Sequence, residues 1–152
     1  MASLSGKVST ELGIRTPAAK FFNLVLKQIH HIQNVTERVH QTNLHEGDSH
    51  DIGSVRQWTY VIDGKVVTSK DSIEAIDERN MIITYKLFDG YVSQQFKICE
   101  LIFQVIDKAD GSAFVKWTFE YEKINDSVEP PYGYMDYVTK VTKDIDAHLL
   151  KA

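Results

Sequence analysis

The six histidines of this chain are the residues that most directly suggest a metal site, but their spacing argues against one. His30 and His31 are adjacent, so on a helix their side chains would point about 100° apart. His40 and His45 are separated by an odd number of positions and would face opposite sides of a strand. No cysteine or carboxylate stands beside them at ligand spacing. The sequence therefore predicts surface histidines, no metal site and no other cofactor.

Cys99 is the only cysteine, which excludes an internal disulfide and leaves a nucleophilic role to consider. A nucleophilic thiol needs a histidine and a third group that orients the histidine, and no pattern in the sequence supplies them. The alternation of the surrounding residues places Cys99 on the inner face of a strand. We therefore expect a packed, unreactive thiol and predict no catalytic residue.

Recognition of a small molecule is the chemistry that the polar and aromatic residues suggest best. Arg56, Trp58 and Tyr60 alternate along one predicted strand and therefore share a face. A later strand places four large apolar side chains on one face: Val115, Trp117, Phe119 and Tyr121. The pKa of arginine keeps Arg56 charged, so it cannot be a general base but could meet the polar or anionic head of a ligand.

Composition and charge exclude several classes of protein. The 152 residues carry a formal charge of -4, so the chain has no general attraction for phosphate backbones, and we expect no nucleic-acid partner. An apolar share of 43% is ordinary for a globular protein, and we expect one domain over residues 1–152. The first residues lack an apolar run of signal-peptide length, and no segment approaches eighteen apolar residues. We expect a cytoplasmic protein without an integral membrane segment.

Short alternating segments predict a sheet. The predicted strands cover residues 7–12, 38–44, 55–62, 65–76, 81–87, 95–106 and 115–122. Asp63-Gly64 lies between two of them and is a strong hairpin signal. Alternation also predicts which other residues point inward: Ile83, Tyr85 and Leu87, then Cys99, Leu101, Phe103 and Val105.

Two segments have helical periodicity. Thr16-Pro17 opens a first helix or helix pair, with Thr16 as its cap. Its apolar face consists of Phe21, Phe22, Val25, Leu26 and Ile29. A closing helix runs from about residue 131 to 150, with Asp136, Lys140, Lys143, Asp144 and Asp146 on its polar side. The apolar stripe of that helix consists of Tyr134, Tyr137, Val138, Val141, Ile145, His148 and Leu149.

The dimensions of these elements favour an internal cavity. A helix about 10 Å wide covers only two or three strands, whereas seven strands span roughly 30 Å. The sheet must therefore curl around the helix, and side chains, water or a ligand must fill the space that remains. A filled core is the ordinary alternative, but a mostly apolar space with a few polar groups is typical of small-molecule sites.

The order of motifs along the chain resembles the major latex protein subfamily of the plant birch-pollen-allergen superfamily, which has the helix-grip fold. The resemblance rests on Glu46-Gly47-Asp48, Gly53-Ser54-Val55, Trp58 and the segments 70–77, 83–87, 110–123 and 142–150. It implies an α+β fold with a seven-stranded curved antiparallel sheet, two short helices in a V and a long C-terminal helix over a hydrophobic cavity. Members bind lipids, steroids, flavonoids or hormone-like amphiphiles and are linked to plant defence and stress.

One loop departs from the pattern of the wider family. Only Gly47 and Gly53 flank an acidic segment where relatives are glycine-rich, and Arg56 stands near where they have a lysine. Two acidic side chains would repel phosphate, so we expect no phosphate-binding role for this loop.

These observations predict a carrier that holds an amphipathic small molecule without converting it, as a monomer or weak dimer. The ligand classes that the resemblance implies are fatty acids, lysophospholipids, steroids and hormone-like molecules. Two alternatives stay open: an enzyme of the same fold, either a condensation enzyme or a weak ribonuclease, and an interaction or storage protein with a filled core. The predicted ligand-binding residues are Phe22, Val25, Leu26, Arg56, Trp58, Tyr60, Tyr85, Leu101, Phe103, Phe119, Tyr121, Tyr134, Tyr137, Val138 and Val141.

Overall fold

The computed structural model describes residues 4–27, 39–46, 52–108 and 113–151, with only the backbone described for residues 39–46. Two helices are present in these segments, α1 (Ala18–Lys27) and α2 (Tyr132–Lys151). A single turn of 3-10 helix, Tyr91–Gln94, joins the fifth strand to the sixth. The strands are β1 (Ser5–Ile14), β2 (Val39–Glu46), β3 (Val55–Ile62), β4 (Lys65–Asp77), β5 (Ile82–Gly90), β6 (Phe96–Asp107) and β7 (Ala113–Lys123).

The strands form one antiparallel sheet in the order β1-β7-β6-β5-β4-β3-β2. The predicted α+β class, with a seven-stranded sheet and a long C-terminal helix, is therefore confirmed. The first strand pairs with the last, from Ser5 opposite Glu122 to Ile14 opposite Ala113. The second short helix of the predicted V would fall after α1, in a segment outside the described residues.

The hairpin between β3 and β4 has the geometry that its sequence predicts. Asp63 and Gly64 have φ values of 49° and 76°, so both lie in the left-handed region that a two-residue hairpin turn requires. The turn makes Ile62 the partner of Lys65. The pairing of the two strands is thereby fixed along their whole length.

Alternation along the strands places the core on one face of the sheet. Ile83, Phe103, Val105, Val115 and Phe119 have at most 1% of their surface exposed. The stripe of α2 that packs on this face consists of Tyr134, Val138, Val141, Thr142, Ile145 and Leu149. The prediction that His148 belongs to the stripe is wrong: it is exposed, because it lies about 70° around the helix from the centre of the stripe.

Asp146 connects the end of α2 to the start of α1. Its carboxylate accepts hydrogen bonds from the backbone nitrogen of Arg15 at 3.0 Å and from that of Thr16 at 2.9 Å. The Thr16 hydroxyl also donates to this carboxylate. Asp146 is therefore half-buried instead of lying on the solvent side as predicted, because it bonds to backbone donors just before α1 begins.

Candidate ligand-binding site

An internal cavity of about 110 Å³ lies between α2 and the inner face of the sheet. Strands β3 to β7 form its floor, the N-terminal half of α2 forms its roof, and α1 contributes one side chain. Most of its wall is apolar, the charged side chains come from β3 and β4, and hydroxyl groups come from β3, β4, β5 and α2. The lining residues are Val25, Arg56, Trp58, Tyr60, Ser69, Lys70, Asp71, Tyr85, Leu87, Leu101, Trp117, Phe119, Tyr134, Tyr137, Val138 and Val141.

Most of the residues predicted to bind a ligand line this cavity. They are Val25, Arg56, Trp58, Tyr60, Tyr85, Leu101, Phe119, Tyr134, Tyr137, Val138 and Val141. Trp58, Leu101 and Tyr137 are only half-buried although they lie on core-facing positions. Contact of these residues with a bound molecule stays a prediction.

Three of the predicted residues lie instead in the packed core beside the cavity. The Phe103 ring is 4.7 Å from that of Trp117 and 6.2 Å from that of Phe22, measured between centroids. Phe103 has no exposed surface, and Leu26 is 5% exposed. Helix α1 covers this part of the sheet. Its phenylalanines therefore fill the space in which the alternation of β6 predicted a ligand.

Tyr121 also lies outside the cavity lining. Gly6 of β1 is its partner in the register, and the Tyr121 ring covers the space where Gly6 lacks a side chain. The ring also makes an edge contact with Phe96, at 5.6 Å between centroids. An aromatic ring over a glycine of an edge strand stabilises the sheet, and Tyr121 packs against Gly6 and Phe96 instead of lining the cavity.

The ion-pair cluster, which consists of Arg56, Asp71, Trp58 and Tyr85, forms one polar part of the wall. Arg56 Nε and Nη2 each donate to a different carboxylate oxygen of Asp71, both at 3.0 Å. The guanidinium carbon lies 5.3 Å from the ring centroids of both Trp58 and Tyr85. Such bidentate pairing and cation–π contact fix a planar guanidinium in one orientation.

Within this cluster, neighbouring charges and burial determine which side chains are ionised. Burial is the largest single influence on the pKa of Arg56 and lowers it, but Asp71 and Tyr85 together more than offset burial through charge interactions and hydrogen bonds, so the net shift is upward. Burial raises the pKa of Tyr85 to about 12, although the positive charge of Arg56 opposes that shift. Arg56 is therefore a buried cation whose charge Asp71 balances, and Tyr85 is a neutral hydroxyl.

A hydroxyl network of Tyr60, Ser69 and Tyr134 connects the sheet to α2. The Tyr60 hydroxyl donates to Ser69 Oγ at 2.9 Å, and the Val92 backbone nitrogen donates to the same oxygen at 3.2 Å. Tyr134 Oη is 2.6 Å from Tyr60 Oη. Because the one proton of Tyr60 is used toward Ser69, Tyr134 is the donor in that second bond. Burial raises the pKa of both tyrosines, so the network is uncharged.

The two tryptophans of the wall differ in how their indole nitrogens are satisfied. Trp117 Nε1 donates to Thr142 Oγ1 at 2.8 Å, and that hydroxyl donates in turn to the Val138 carbonyl. Trp58 Nε1 is buried and has no hydrogen-bond partner among the described residues. A buried donor without an acceptor costs about 1–3 kcal/mol relative to a satisfied one.

Sequence reasoning missed the polar residues of β4 that line the cavity, Ser69 and Asp71. A signal for them was present, because the Asp63-Gly64 turn fixes the register of β3 and β4. In that register Arg56 lies opposite Asp71 and Trp58 lies opposite Ser69. Directly opposite residues share a face of the sheet, so an inward Arg56 requires an inward Asp71.

Lys70 is the one lysine in the lining, and it does not provide the buried amine that a condensation enzyme of this fold would need. Its ammonium group is 3.7 Å from the carboxylate of Asp89, whose side chain is 68% exposed. Ser69 and Asp71 on either side of it are buried, so alternation places the Lys70 side chain toward the outer face.

The described segments contain neither a candidate metal site nor a candidate membrane-spanning helix. These segments contain no group of three or more His, Cys, Asp or Glu side chains placed to hold a metal ion. None of the helices described is long and apolar enough to cross a bilayer. Five of the six histidines, and the acidic loop before Ile52, lie where side chains are not described.

Cys99 is 2% exposed, and burial, followed by the negative charge of Glu100, raises the pKa of its thiol to about 12. An unfolded thiol ionises near pH 9, so between pH 9 and pH 12 the native state binds more protons than the unfolded state. The stability that this group contributes is fully present below pH 9 and is lost as the pH rises toward 12.

Replacing Cys99 with alanine tests the buried thiol. As the pH rises, the free energy of unfolding should fall less steeply in Cys99→Ala than in the unmodified protein, by about 1 kcal/mol per pH unit. Urea titrations at pH 8 to 11 measure both curves. Parallel curves for the two proteins would contradict the buried thiol.

Comparison with known proteins places the chain in a family. Residues 3–152 match the pathogenesis-related protein Bet v 1 family. MLP-like protein 43 of Arabidopsis thaliana is 36% identical over 151 residues, which are 98% of this chain and 96% of that protein.

Solved structures agree with this similarity. The crystal structure of ginseng major latex-like protein 151 from Panax ginseng has a TM-score of 0.93 at 36% identity, covering 97% of this chain and 99% of that one. The solution structure of an Arabidopsis thaliana member of the major latex protein family has a TM-score of 0.72 at 33% identity, covering 98% and 96%. The resemblance seen in the sequence motifs is confirmed, and the chain belongs to the Bet v 1 family, in its major latex protein-like branch.

Proposed function

We propose that this protein is a cytoplasmic carrier that holds one amphipathic small molecule in the cavity beneath α2 and does not convert it. The Bet v 1 fold is a small-molecule-binding fold. The observation that carries the proposal is the cavity itself, with mostly apolar walls and a few polar groups on β3, β4, β5 and α2. A role in plant defence and stress belongs to the same proposal and is supported by the family's description as pathogenesis-related.

The residues of the wall support holding over turnover. Tyr60, Tyr85 and Tyr134 are kept neutral by burial, and Arg56 is kept charged by Asp71, so none of them is placed to exchange a proton near neutral pH. The thiol of Cys99 is protonated and absent from the lining. These groups orient a ligand through fixed hydrogen bonds and apolar contact.

The size of the cavity sets a condition on this function. Sites for drug-sized ligands enclose roughly 300–1,000 Å³, whereas this cavity encloses about 110 Å³. A lipid-sized ligand must therefore displace part of the lining when it enters. The half-buried side chains of the wall, such as Leu87, Leu101 and Tyr137, are the groups whose movement loses least packing.

A cavity-filling variant tests the proposal. Val138→Phe adds a ring to a buried side chain on the roof, so we expect it to weaken uptake of the uncharged fluorescent probe N-phenyl-1-naphthylamine at least tenfold. The extra ring occupies empty space, so the cost in stability should stay below the 1–3 kcal/mol typical of overpacking. The measurements are probe titration and native mass spectrometry, with circular dichroism to verify the fold.

Lys143→Phe is the matched control, because it adds the same ring to the same helix at an exposed position. It should bind the probe as the unmodified protein does. A protein with a filled core would take up no probe in any form, and an enzyme would release a chemically altered ligand that mass spectrometry detects. Either result would contradict the carrier function.

A further inference from the structure

The indole nitrogen of Trp58 is a hydrogen-bond donor that the protein leaves unused within its described residues. Its counterpart in Trp117 is bonded to Thr142, so the fold can satisfy a buried indole where it has an acceptor. Trp58 lies in β3 with its side chain in the cavity wall. Buried Trp nitrogens usually have a partner, and a molecule bound in the cavity that Trp58 lines is one source of it.

Three other donors of the wall are already directed at protein acceptors. The Tyr60 hydroxyl donates to Ser69, and the Tyr134 hydroxyl donates to Tyr60. Trp117 donates to Thr142. A ligand oxygen that arrives in the cavity therefore gains more from the Trp58 donor than from these three, whose bonds are already made.

The charge next to Trp58 does not favour an anion. Arg56 is the only cation buried among the described residues of the wall, and Asp71 holds it through two hydrogen bonds of 3.0 Å. The pair has no net charge, so a carboxylate that enters the cavity loses its hydration and meets Asp71 as well as Arg56. The sequence hypothesis of a polar or anionic ligand head at Arg56 stays a prediction, and the pairing with Asp71 favours its polar form.

Entry of a ligand also exposes the Trp58 donor. In the present form its nitrogen has almost no accessible surface, and the cavity is too small for a lipid-sized molecule. The displacement of the lining that admits a ligand therefore opens the wall beside Trp58 at the same time. An acceptor oxygen then replaces an unsatisfied donor with a hydrogen bond.

Building on the proposed carrier function, we propose that the cavity selects uncharged amphiphiles whose head carries an acceptor oxygen, such as an alcohol, ester or ketone. The oxygen accepts a hydrogen bond from Trp58 Nε1, and the neutral Arg56–Asp71 pair discriminates against carboxylates. Trp58 is thus a specificity-determining residue of the site.

The test compares two ligands of equal chain length, 1-decanol and decanoate, at pH 8, where decanoate is fully ionised. Each displaces N-phenyl-1-naphthylamine from the intact protein. We expect 1-decanol to bind at least tenfold more tightly than decanoate. Trp58→Phe should weaken binding of 1-decanol about fivefold because the donor for its oxygen is lost. Asp71→Asn should shift the preference toward decanoate because Arg56 is then uncompensated.

The two indole N–H resonances in a ¹H–¹⁵N spectrum provide a second readout on the unmodified protein. Variants are needed only to assign each resonance to its tryptophan. On addition of 1-decanol the Trp58 proton should move downfield, while the Trp117 proton, already bonded to Thr142, serves as the internal reference. An unmoved Trp58 resonance with bound 1-decanol would overturn the assignment of this donor.

The possible failures are distinguishable. If the folded protein takes up no probe, the carrier function fails and the ligand class fails with it. If it takes up the probe but binds decanoate as tightly as 1-decanol, the carrier function stands and only the preference for uncharged heads is overturned.

Discussion

Replacing Asp71 with alanine should lower the free energy of unfolding by about 3–5 kcal/mol. The substitution leaves the Arg56 guanidinium, which is 2% exposed, without the carboxylate that balances its charge. The contacts of the guanidinium with the Trp58 and Tyr85 rings remain, but they do not supply a negative charge. Since domains of this size are stable by about 5–15 kcal/mol, much of the total would be lost. Urea unfolding followed by circular dichroism measures the change.

A double variant separates the free-energy cost of an unpaired buried charge from the net contribution of the Arg56–Asp71 ion pair to stability. Arg56→Met with Asp71→Leu removes both charges and keeps the volume apolar, so we expect most of the stability to return. The double variant should keep the preference for 1-decanol over decanoate, because a carboxylate still loses its hydration in an apolar wall that offers no cation. A loss below about 1 kcal/mol in Asp71→Ala alone would show that water reaches the guanidinium.

Replacing Gly90 with alanine should cost about 3 kcal/mol and disturb the hydroxyl network. Gly90 has φ 118° and ψ -145°, a conformation that side chains rarely adopt. A Cβ atom there would collide with the carbonyl oxygen of Thr68, which belongs to the backbone of β4 and cannot turn away. Gly90 pairs with Ser69, so the displaced strand would carry Ser69 away from Tyr60.

Gly64→Ala is the matched control for this substitution. Gly64 also has a positive φ, 76°, but no atom lies within 4 Å of the position of an added Cβ. We expect only the conformational cost, about 1 kcal/mol. Chemical denaturation gives both values, and the hydroxyl protons of Tyr60 and Tyr134 report on the network by NMR. Equal costs for the two variants would show that the contact with Thr68 is relieved without loss.

The sequence predicted the strands well because each has a strong local signal. Residues 55–62 are rich in β-branched and aromatic side chains and end at Asp63-Gly64, and the observed strand β3 has the same bounds. The closing helix is observed from Tyr132 to Lys151, one residue from the expected bounds at each end. Periodicity and turn chemistry act within a few residues, so they can be read without knowledge of the rest of the chain.

Alternation predicted which residues point inward but not what each of them meets there. Phe103 points inward as expected, yet α1 packs over it and Phe22 stacks at 6.2 Å. Tyr121 lies over Gly6 because β1 pairs with β7, a contact between opposite ends of the chain. Whether an inward side chain lines a cavity or fills a core depends on the docking of helices, which strand patterns do not encode.

The polar wall of the cavity follows from register. Asp71 entered the sequence analysis only through the family resemblance of residues 70–77, although the hairpin turn already places it opposite Arg56. The bond from Asp146 to the backbone before α1 had no comparable signal, because its partners are backbone nitrogens about 130 positions away. A hydrogen bond to a distant backbone atom does not depend on the side chain of that residue, so it cannot be predicted from residue types.

The pairing of β1 with β7, together with the Asp146 bonds, has a consequence for the order in which the chain is made. A ribosome produces β1 and α1 first, yet their partners lie in β7 and near the end of α2. At roughly 5–20 residues per second, these first elements wait several seconds with their apolar faces uncovered. Those faces are covered only when β7 pairs with β1 and completes the sheet, and the docking of α2 then adds the Asp146 bonds before α1 and the roof of the cavity.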